Sequence, residues 1–297
     1  MFKKPTIEKL LVFLYNIFGD FMNPIALDLG FIEIYWYSIT ILLGVISGTI
    51  LAYLELKRLK MDKEYFFNMI FYALIFAFIG ARIYYVIFNL DYYLNNLAEI
   101  PAIWHGGLAI HGGILGGAIT IVIYSLKHQK NKNEILKYLD ISAVSILIGQ
   151  IIGRWGNFFN SEAHGGVTTR GFLEKLHIPE FIIQGMTING IVYHPTFLYE
   201  SCLNLIGLIV LLVLRRNKKI KIGMLLSIYL MWYSIVRFFI ESMRTDSLMF
   251  YSLKMAQVIS IILFIVGLVL FVYSYKKNKY YNKESWDNYV FYYKNKK

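Results

Sequence analysis

Apolar residues gather into seven long runs, near 33–55, 66–89, 107–126, 138–159, 196–214, 222–242 and 256–275. Each is close to the roughly 17–25 residues that a helix needs to cross a bilayer. The pattern predicts an all-α integral membrane protein, a seven-transmembrane-helix bundle. The third and fourth runs are the least clean. Residues 105–117, HGGLAIHGGILGG, put two imidazoles and six glycines into an otherwise greasy stretch. Glycine costs roughly 1 kcal/mol per residue inside a helix, and a polar ring in hydrocarbon costs more. Polar residues collect between the runs, and the one sizeable extramembrane piece is 160–195. Within it FIIQGMTINGIVYHP (181–195) reads as a hairpin turning at Asn189-Gly190, part of a small outward-facing loop and hairpin cap.

Composition agrees with the pattern. The chain of 297 residues is 57% hydrophobic and 16% charged, with a mean hydropathy of +0.52, too apolar for an ordinary soluble domain. The net charge of +11 sits in short clusters beside the apolar runs, which is the signature of topology and not of nucleic-acid binding. KRLKMDK (57–63), KHQKNKNEILK (127–137), RRNKKIK (215–221) and KKNKYYNK (276–283) follow runs one, three, five and seven. The positive-inside rule then makes the C-terminus cytoplasmic and turns the start of the first span outward. Residues 1–21 carry lysines on that outer side and read as an interfacial helix. The expected organisation is an N-terminal extension over 1–30, a membrane catalytic domain over 31–275 with its cap at 160–195, and a basic cytoplasmic tail over 276–297.

The single cysteine, Cys202, excludes an intramolecular disulfide and a CxxC motif, and is expected to be a small buried hydrophobe. Ionisable residues inside spans are costly, so each calls for a function or a partner. In GQIIGRWGNFFNSE (149–162), Arg154, Asn157 and Ser161 fall at i, i+3 and i+7 along one helical face, a plausible phosphate grip; Gly149 and Gly153 make a small-xxx-small packing edge. Arg154 snorkelling at the boundary is the competing reading. In RFFIESMR (237–244), Arg237, Glu241 and Arg244 again share a face, and a purely structural Arg237–Glu241 pair stands beside a functional one. His111 enters the third span. Most such histidines are packing residues, yet imidazole is the natural base near neutrality. The pairs Gly112/Gly116 and Gly113/Gly117 are expected to be helix-packing notches.

Tyr37, Arg82, Tyr85 and Glu200 complete the set. The topology puts Tyr37, Arg82, His111, Arg154, Glu200, Arg237, Glu241 and Arg244 in the outer half of the membrane. Scattered structural charges would have no reason to choose one leaflet. Several arginines, amides and a histidine reached through lipid suit an anionic phospholipid headgroup, because arginine binds phosphate bidentately and stays charged. If the headgroup phosphate leaves, the arginines stabilise the developing charge while a base deprotonates a nucleophile. Such chemistry calls for no metal or cofactor.

HGGLAIHGG (105–113), GRWGNFFNSEAHG (153–165), HPTFLYE (194–200) and RFFIESMRTD (237–246) resemble, in order and spacing, the bacterial prolipoprotein diacylglyceryl transferases. The GRxGNFxNxExxG pattern is that family's signature and is matched in full; the resemblance covers about residues 22–275. It implies transfer of the diacylglyceryl group of phosphatidylglycerol to the lipobox cysteine of a prolipoprotein, with formation of a thioether and release of glycerol phosphate. By motif position His111 is the candidate general base and Tyr37 a helper. Arg154 would bind the phosphate, Asn157 and Glu162 would hold it and the glycerol hydroxyls, and Arg237 would be a second phosphate residue oriented by Glu241. Arg244 adds to the cationic stripe. Tyr84 departs from the pattern, where glycine is usual before Tyr85. The partners implied are phosphatidylglycerol and prolipoprotein signal peptides, in the bacterial plasma membrane.

Other readings are a transferase using a CDP-alcohol, disfavoured because no aspartate cluster for Mg²⁺ lies in a span, an outward-facing phospholipid or anion transporter, and an inactive scaffold relative. A transporter calls for polar residues in both leaflets, against the one-leaflet bias.

Overall fold

The computed structural model describes residues 24–30, 33–103, 106–245, 249–250 and 253–282. The expected interfacial segment 1–21, His105 and residues 283–297 of the tail lie outside them. In chain order the elements are strands β1 (Ile25–Asp28) and β2 (Glu33–Tyr35), helices α1 (Trp36–Arg58), α2 (Lys63–Phe88), the short α3 (Leu90–Asn95), α4 (Ile110–Lys127) and α5 (Lys132–Phe159), and the short α6 (Arg170–Lys175) and α7 (Glu180–Gly185). Strands β3 (Thr187–Ile188) and β4 (Ile191–Val192), helices α8 (Thr196–Leu214) and α9 (Met224–Met243), strands β5 (Met249–Phe250) and β6 (Leu253–Lys254), and helix α10 (Met255–Lys277) follow.

The protein is an all-α membrane protein with three small antiparallel hairpins among the described residues. Six helices there, α1, α2, α5, α8, α9 and α10, are long and apolar enough to cross a membrane. The expected third span forms the 18-residue α4, outside that set of six. Residues 106–109 precede the helix as irregular backbone.

Two compact units divide the chain, Glu55–Tyr138 and the remainder. In the unit Glu55–Tyr138, α2 and α4 pack face to face over glycine. A Cβ on Gly112 would lie 2.2 Å from the carbonyl oxygen of Gly80, and one on Gly116 2.3 Å from that of Phe76. Gly113 and Gly117 make only ordinary contacts, from 3.4 to 3.7 Å, with Ala73, Ala77 and Ala81. One glycine pair is therefore the tight notch and the other a loose flank.

In the larger unit, Gly44 of α1 meets Gly149 of α5, whose carbonyl oxygen would be 3.2 Å from an added Cβ. Gly153 has only Ile41 within 4 Å, so the close approach runs through Gly149 and not along the expected pair. Asp140 of α5, fully buried, accepts from the backbone N–H groups of Gly223 (2.6 Å) and Leu226 (2.8 Å). It thereby satisfies free donors at the start of α9 from another helix, a tertiary version of an N-cap. Helix α10 packs on α9, and its remaining surface is exposed apolar side chain, as expected where lipid is the solvent.

Four sequence expectations change. The hairpin at Asn189-Gly190 is present, both residues having positive φ (52° and 78°), but it is only two residues deep on each side. Residues 180–185 before it are helical because Pro179 opens that turn. Cys202 is exposed on the outer face of α8: it falls between the buried Ser201 and Asn204, on the side the helix turns away from its neighbours. Ser161 and Arg244 leave the helical faces assigned to them, since α5 ends at Phe159 and α9 at Met243. The first residues of the tail are packed as well. Tyr281 is 1% exposed and donates its N–H to the Ile220 carbonyl, while Asn282 Nδ2 donates to the carbonyls of Arg215 and Asn217.

Candidate active site

In the larger unit three of the four resemblance motifs converge, 153–165, 194–200 and 237–246. An aromatic cluster joins the end of α5 to the start of α8: the rings of Phe158 and Phe197 lie 4.8 Å apart, with Ile182 and Met186 of the cap region packed into the same core. Trp155 and Phe159, at variable positions of the signature, pack against it. The loop after α5 is then stitched down. Ser161 and Ala163 take left-handed φ of 51° and 57°, an uncommon conformation for side-chain-bearing residues that persists where the surroundings enforce it. Glu162 N–H donates to the Asn157 carbonyl, Gly165 N–H to His194, and Gly166 N–H to Met243 at the end of α9. The signature loop, the His-Pro segment and the α9 terminus become one structure.

On this frame the polar side chains form a continuous line. Arg154 Nη2 approaches Glu200 Oε1 at 2.8 Å, and Arg237 Nη1 approaches Glu200 Oε2 at 3.5 Å. Arg237 Nη2 lies 2.7 Å from Glu241 Oε2. Arg154 Nη1 donates to Asn157 Oδ1 at 3.3 Å, and Asn157 Nδ2 to Glu162 Oε1 at 2.9 Å. The carboxylate side chains of Glu200 and Glu241 are 2% exposed, whereas those of Arg154 and Arg237 are 21% and 17% exposed. Anions thus lie behind and cations in front.

The alignment is as informative as the distances. Glu200 Oε1, Arg237 Nη1 and Glu241 Oε2 are buried yet make no directed hydrogen bond, so these contacts hold charge near charge without using up the N–H directions. Buried ions in such a state are undersatisfied. A tetrahedral oxyanion placed before the two guanidinium groups would supply the missing acceptors in the two-pronged geometry arginine favours.

Arg244 is placed differently from expectation. Its backbone pairs with Gly165, and its carbonyl, with those of Glu241 and Ser242, accepts from Lys254 Nζ at 2.8 to 3.3 Å. Lys254 caps the α9 C-terminus, where a cation complements the helix dipole. Tyr37, second residue of α1, lies against Gly156: a Cβ there would be 2.8 Å from Tyr37 Cδ2. The signature's second glycine is therefore the space the Tyr37 ring occupies.

In the unit Glu55–Tyr138, His111 sits in the first turn of α4 with its Nε2 buried and unpartnered, and its ring centroid is 6.0 Å from that of Tyr84. Arg82 is spent on scaffolding. It is 7% exposed, and all five of its N–H groups donate to backbone carbonyls: Ile100, Gly106, Gly107, Glu99 and Ala102, at 2.6 to 3.3 Å. This bundle shapes the turn before α4. Gly107 has φ of +74°, and a Cβ on it would lie 2.6 Å from Arg82 Nη1, so the first Gly-Gly is required by the turn.

Sequence reasoning named Glu200 without a role; its place between two arginines could have been sought in the i, i+4, i+8 polar face Thr196, Glu200, Asn204. Asp140, a carboxylate inside the fourth apolar run, carried the signal of a costly charge but not its partner, a backbone N–H 83 residues on; Lys254 carried none, its partners being backbone carbonyls.

The family model for prolipoprotein diacylglyceryl transferase matches residues 24–273. A phosphatidylglycerol–prolipoprotein diacylglyceryl transferase of Staphylococcus haemolyticus is 50% identical over 261 residues, covering 88% of this chain and 90% of that protein. The Listeria innocua protein of the same name is 49% identical over 252 residues, 85% and 90% of the two chains, and one from Staphylococcus epidermidis is 46% identical over 272 residues, 90% and 95%. The motifs brought together around Glu200 and the extent of these matches lead to one conclusion: the chain belongs to the prolipoprotein diacylglyceryl transferase family.

Proposed function

We propose that the protein transfers the diacylglyceryl group of phosphatidylglycerol to the cysteine thiol of prolipoproteins, and that Arg154 and Arg237 hold the headgroup phosphate. The observation that carries the reading is the pair of guanidinium groups fronting the buried Glu200, with N–H directions left over. Family membership supplies the substrates.

In the reaction a base removes the thiol proton, and the sulfur attacks the glycerol carbon that bears the phosphate ester. The C–S bond forms as the C–O bond breaks, and glycerol phosphate leaves with the electron pair. A thiol of pKa about 8.5 is only a few per cent ionised near neutrality, hence the need for a base. Arg154 and Arg237 stabilise the charge that grows on the leaving phosphate. Glu241 orients Arg237; Asn157 and Glu162 hold the glycerol hydroxyls; Arg244 contributes positive potential at the end of α9. His111 is proposed as the base on its own surroundings, a buried Nε2 with no partner, with Tyr37 as helper. The reading places the enzyme in the bacterial plasma membrane as a multi-pass protein, C-terminus cytoplasmic, with the arginines in the outer half and the lipobox cysteine of the signal peptide as nucleophile.

The test is mass spectrometry of a lipobox-cysteine peptide incubated with the purified protein in phosphatidylglycerol micelles, beside a Cys→Ser peptide. The expected result is a diacylglyceryl mass gain on the cysteine peptide alone, with glycerol phosphate released. Folded protein giving no gain would return the transporter and scaffold readings.

A further inference from the structure

One helical turn from the arginine tier, the same three helices of the larger unit carry a second polar tier. Gln150 lies four residues before Arg154 on α5, Asn204 four after Glu200 on α8, and Ser234 three before Arg237 on α9. The pairing of Glu200 with both arginines, together with the Ser201 Oγ bond to the Ile151 carbonyl (2.8 Å) and the Trp232 Nε1 bond to the Leu203 carbonyl (3.1 Å), fixes the antiparallel register. That register sets Gln150, Asn204 and Ser234 at one level, about 5 to 6 Å along the axes from the arginines. Arg154 and Glu200 lie near helix ends, so this second tier is the one nearer mid-span.

Asn204 is 0% exposed and Ser234 2% exposed. Both amide atoms of Asn204, Ser234 Oγ and Gln150 Oε1 are buried without a hydrogen-bond partner, while Gln150 Nε2 donates to Tyr229 Oη at 3.1 Å. Leaving such groups without a hydrogen bond is costly, and apolar side chains of similar size would avoid the cost. Four orphan atoms on three facing helices mark a place where something polar is taken up. The tier is uncharged, so its ligand is neutral.

We infer that this tier binds the ester carbonyls of the diacylglyceryl group, with Asn204 Nδ2 and Ser234 Oγ as donors. The inference rests on the phosphate assignment above and extends it along the same lipid. A phospholipid whose phosphate meets Arg154 and Arg237 runs toward mid-membrane through its glycerol, and the ester carbonyls, pure acceptors, come next, within one turn of helix. Gln150 Oε1 and Asn204 Oδ1 remain as acceptors for a bridging water. Holding the esters would fix the glycerol carbon that is attacked, because an orientation set at both ends of the glycerol unit restrains the carbon between them.

The test compares ester-linked with ether-linked phosphatidylglycerol, which lacks the carbonyls, in the purified wild type, Asn204→Leu and the milder Ser234→Ala, with kcat and KM determined for lipid and for peptide. The wild type should use the diether about tenfold less efficiently, and the variants should lose that preference by falling on the diester alone. Equal use of both lipids by an active wild type overturns the inference and leaves the transferase reading standing; absence of transfer from either lipid overturns the transferase reading itself. A variant that raises KM for peptide and keeps the ester preference assigns the tier to the peptide. A variant that is more thermostable with the preference unchanged reduces the tier to a water site, and either outcome overturns the proposal.

Discussion

Arg82 and the pair Arg154 and Arg237 all lie on helices long and apolar enough to cross a membrane, yet they are solvated in opposite ways. Arg82 has every N–H taken by a backbone carbonyl, a closed arrangement with nothing left for a ligand. Arg154 and Arg237 are held by carboxylates that compensate their charge, while their hydrogen-bonding directions stay incompletely used. What separates the two proposed phosphate arginines from Arg82 is what their partners leave open: every N–H of Arg82 is used, whereas Arg237 Nη1 is unmet.

The contrast can be broken most severely at Arg82. Arg82→Ala strands five carbonyls, and the folded state should lose about 3–5 kcal/mol, read as a large drop in thermal stability in detergent and poor recovery of folded protein. Arg154→Ala or Arg237→Ala should act chiefly on transfer. Transfer should fall by about a hundred- to a thousandfold in either variant; the melting temperature should change little in Arg154→Ala, where Glu200 keeps Arg237, and drop further in Arg237→Ala, which also leaves the buried Glu241 without its cation. Arg154→Lys should restore only part of the rate because it cannot make the two-pronged contact. An Arg82 variant that folds normally but cannot transfer would erase the distinction.

Gly107→Ala tests the scaffold at smaller scale. The positive φ and the approach to Arg82 should together cost about 1–3 kcal/mol, whereas Gly113→Ala, in ordinary contact with Ala77 and Ala81, should be tolerated; thermal melts of the two variants in parallel decide it. The smallest effect concerns His194, beside the signature loop. Burial holds its imidazole below the usual histidine range, so the unfolded chain binds the proton more readily. Stability should be full above about pH 6.5 and decline as pH falls through that value toward the lower folded pKa. His194→Gln should flatten this part of the stability profile, and an unchanged slope would show that another group controls it.

The apolar runs were legible because membrane-spanning helices must satisfy their own backbone and present apolar side chains to lipid, a constraint written locally. The signature, the His-Pro segment and the α9 motif were legible by resemblance, and the Asn189-Gly190 turn by its preference for positive φ. Less could be read where a helix ends. Ser161 and Arg244 kept helical spacing in sequence, but the loop after α5 and the Lys254 cap of α9 end those helices through contacts made elsewhere in the chain. Cys202 faces outward because it lies off the Thr196, Glu200, Asn204 face that α8 turns toward protein; its residue type alone did not show that, but the spacing of those polar residues did.

By itself the sequence determined the fold class, the approximate spans, the family and most of the charged residues of the candidate site, since these depend on composition, periodicity and residue identity. Only the tertiary structure decided that Arg82 is consumed by backbone, that Glu200 joins Arg154 to Arg237, and that Gln150, Asn204 and Ser234 share a level with their polar atoms unmet. Each of those facts concerns which hydrogen bonds are made and which are left open. That depends on the directions in which side chains from separate helices approach one another, which spacing along a single chain does not encode.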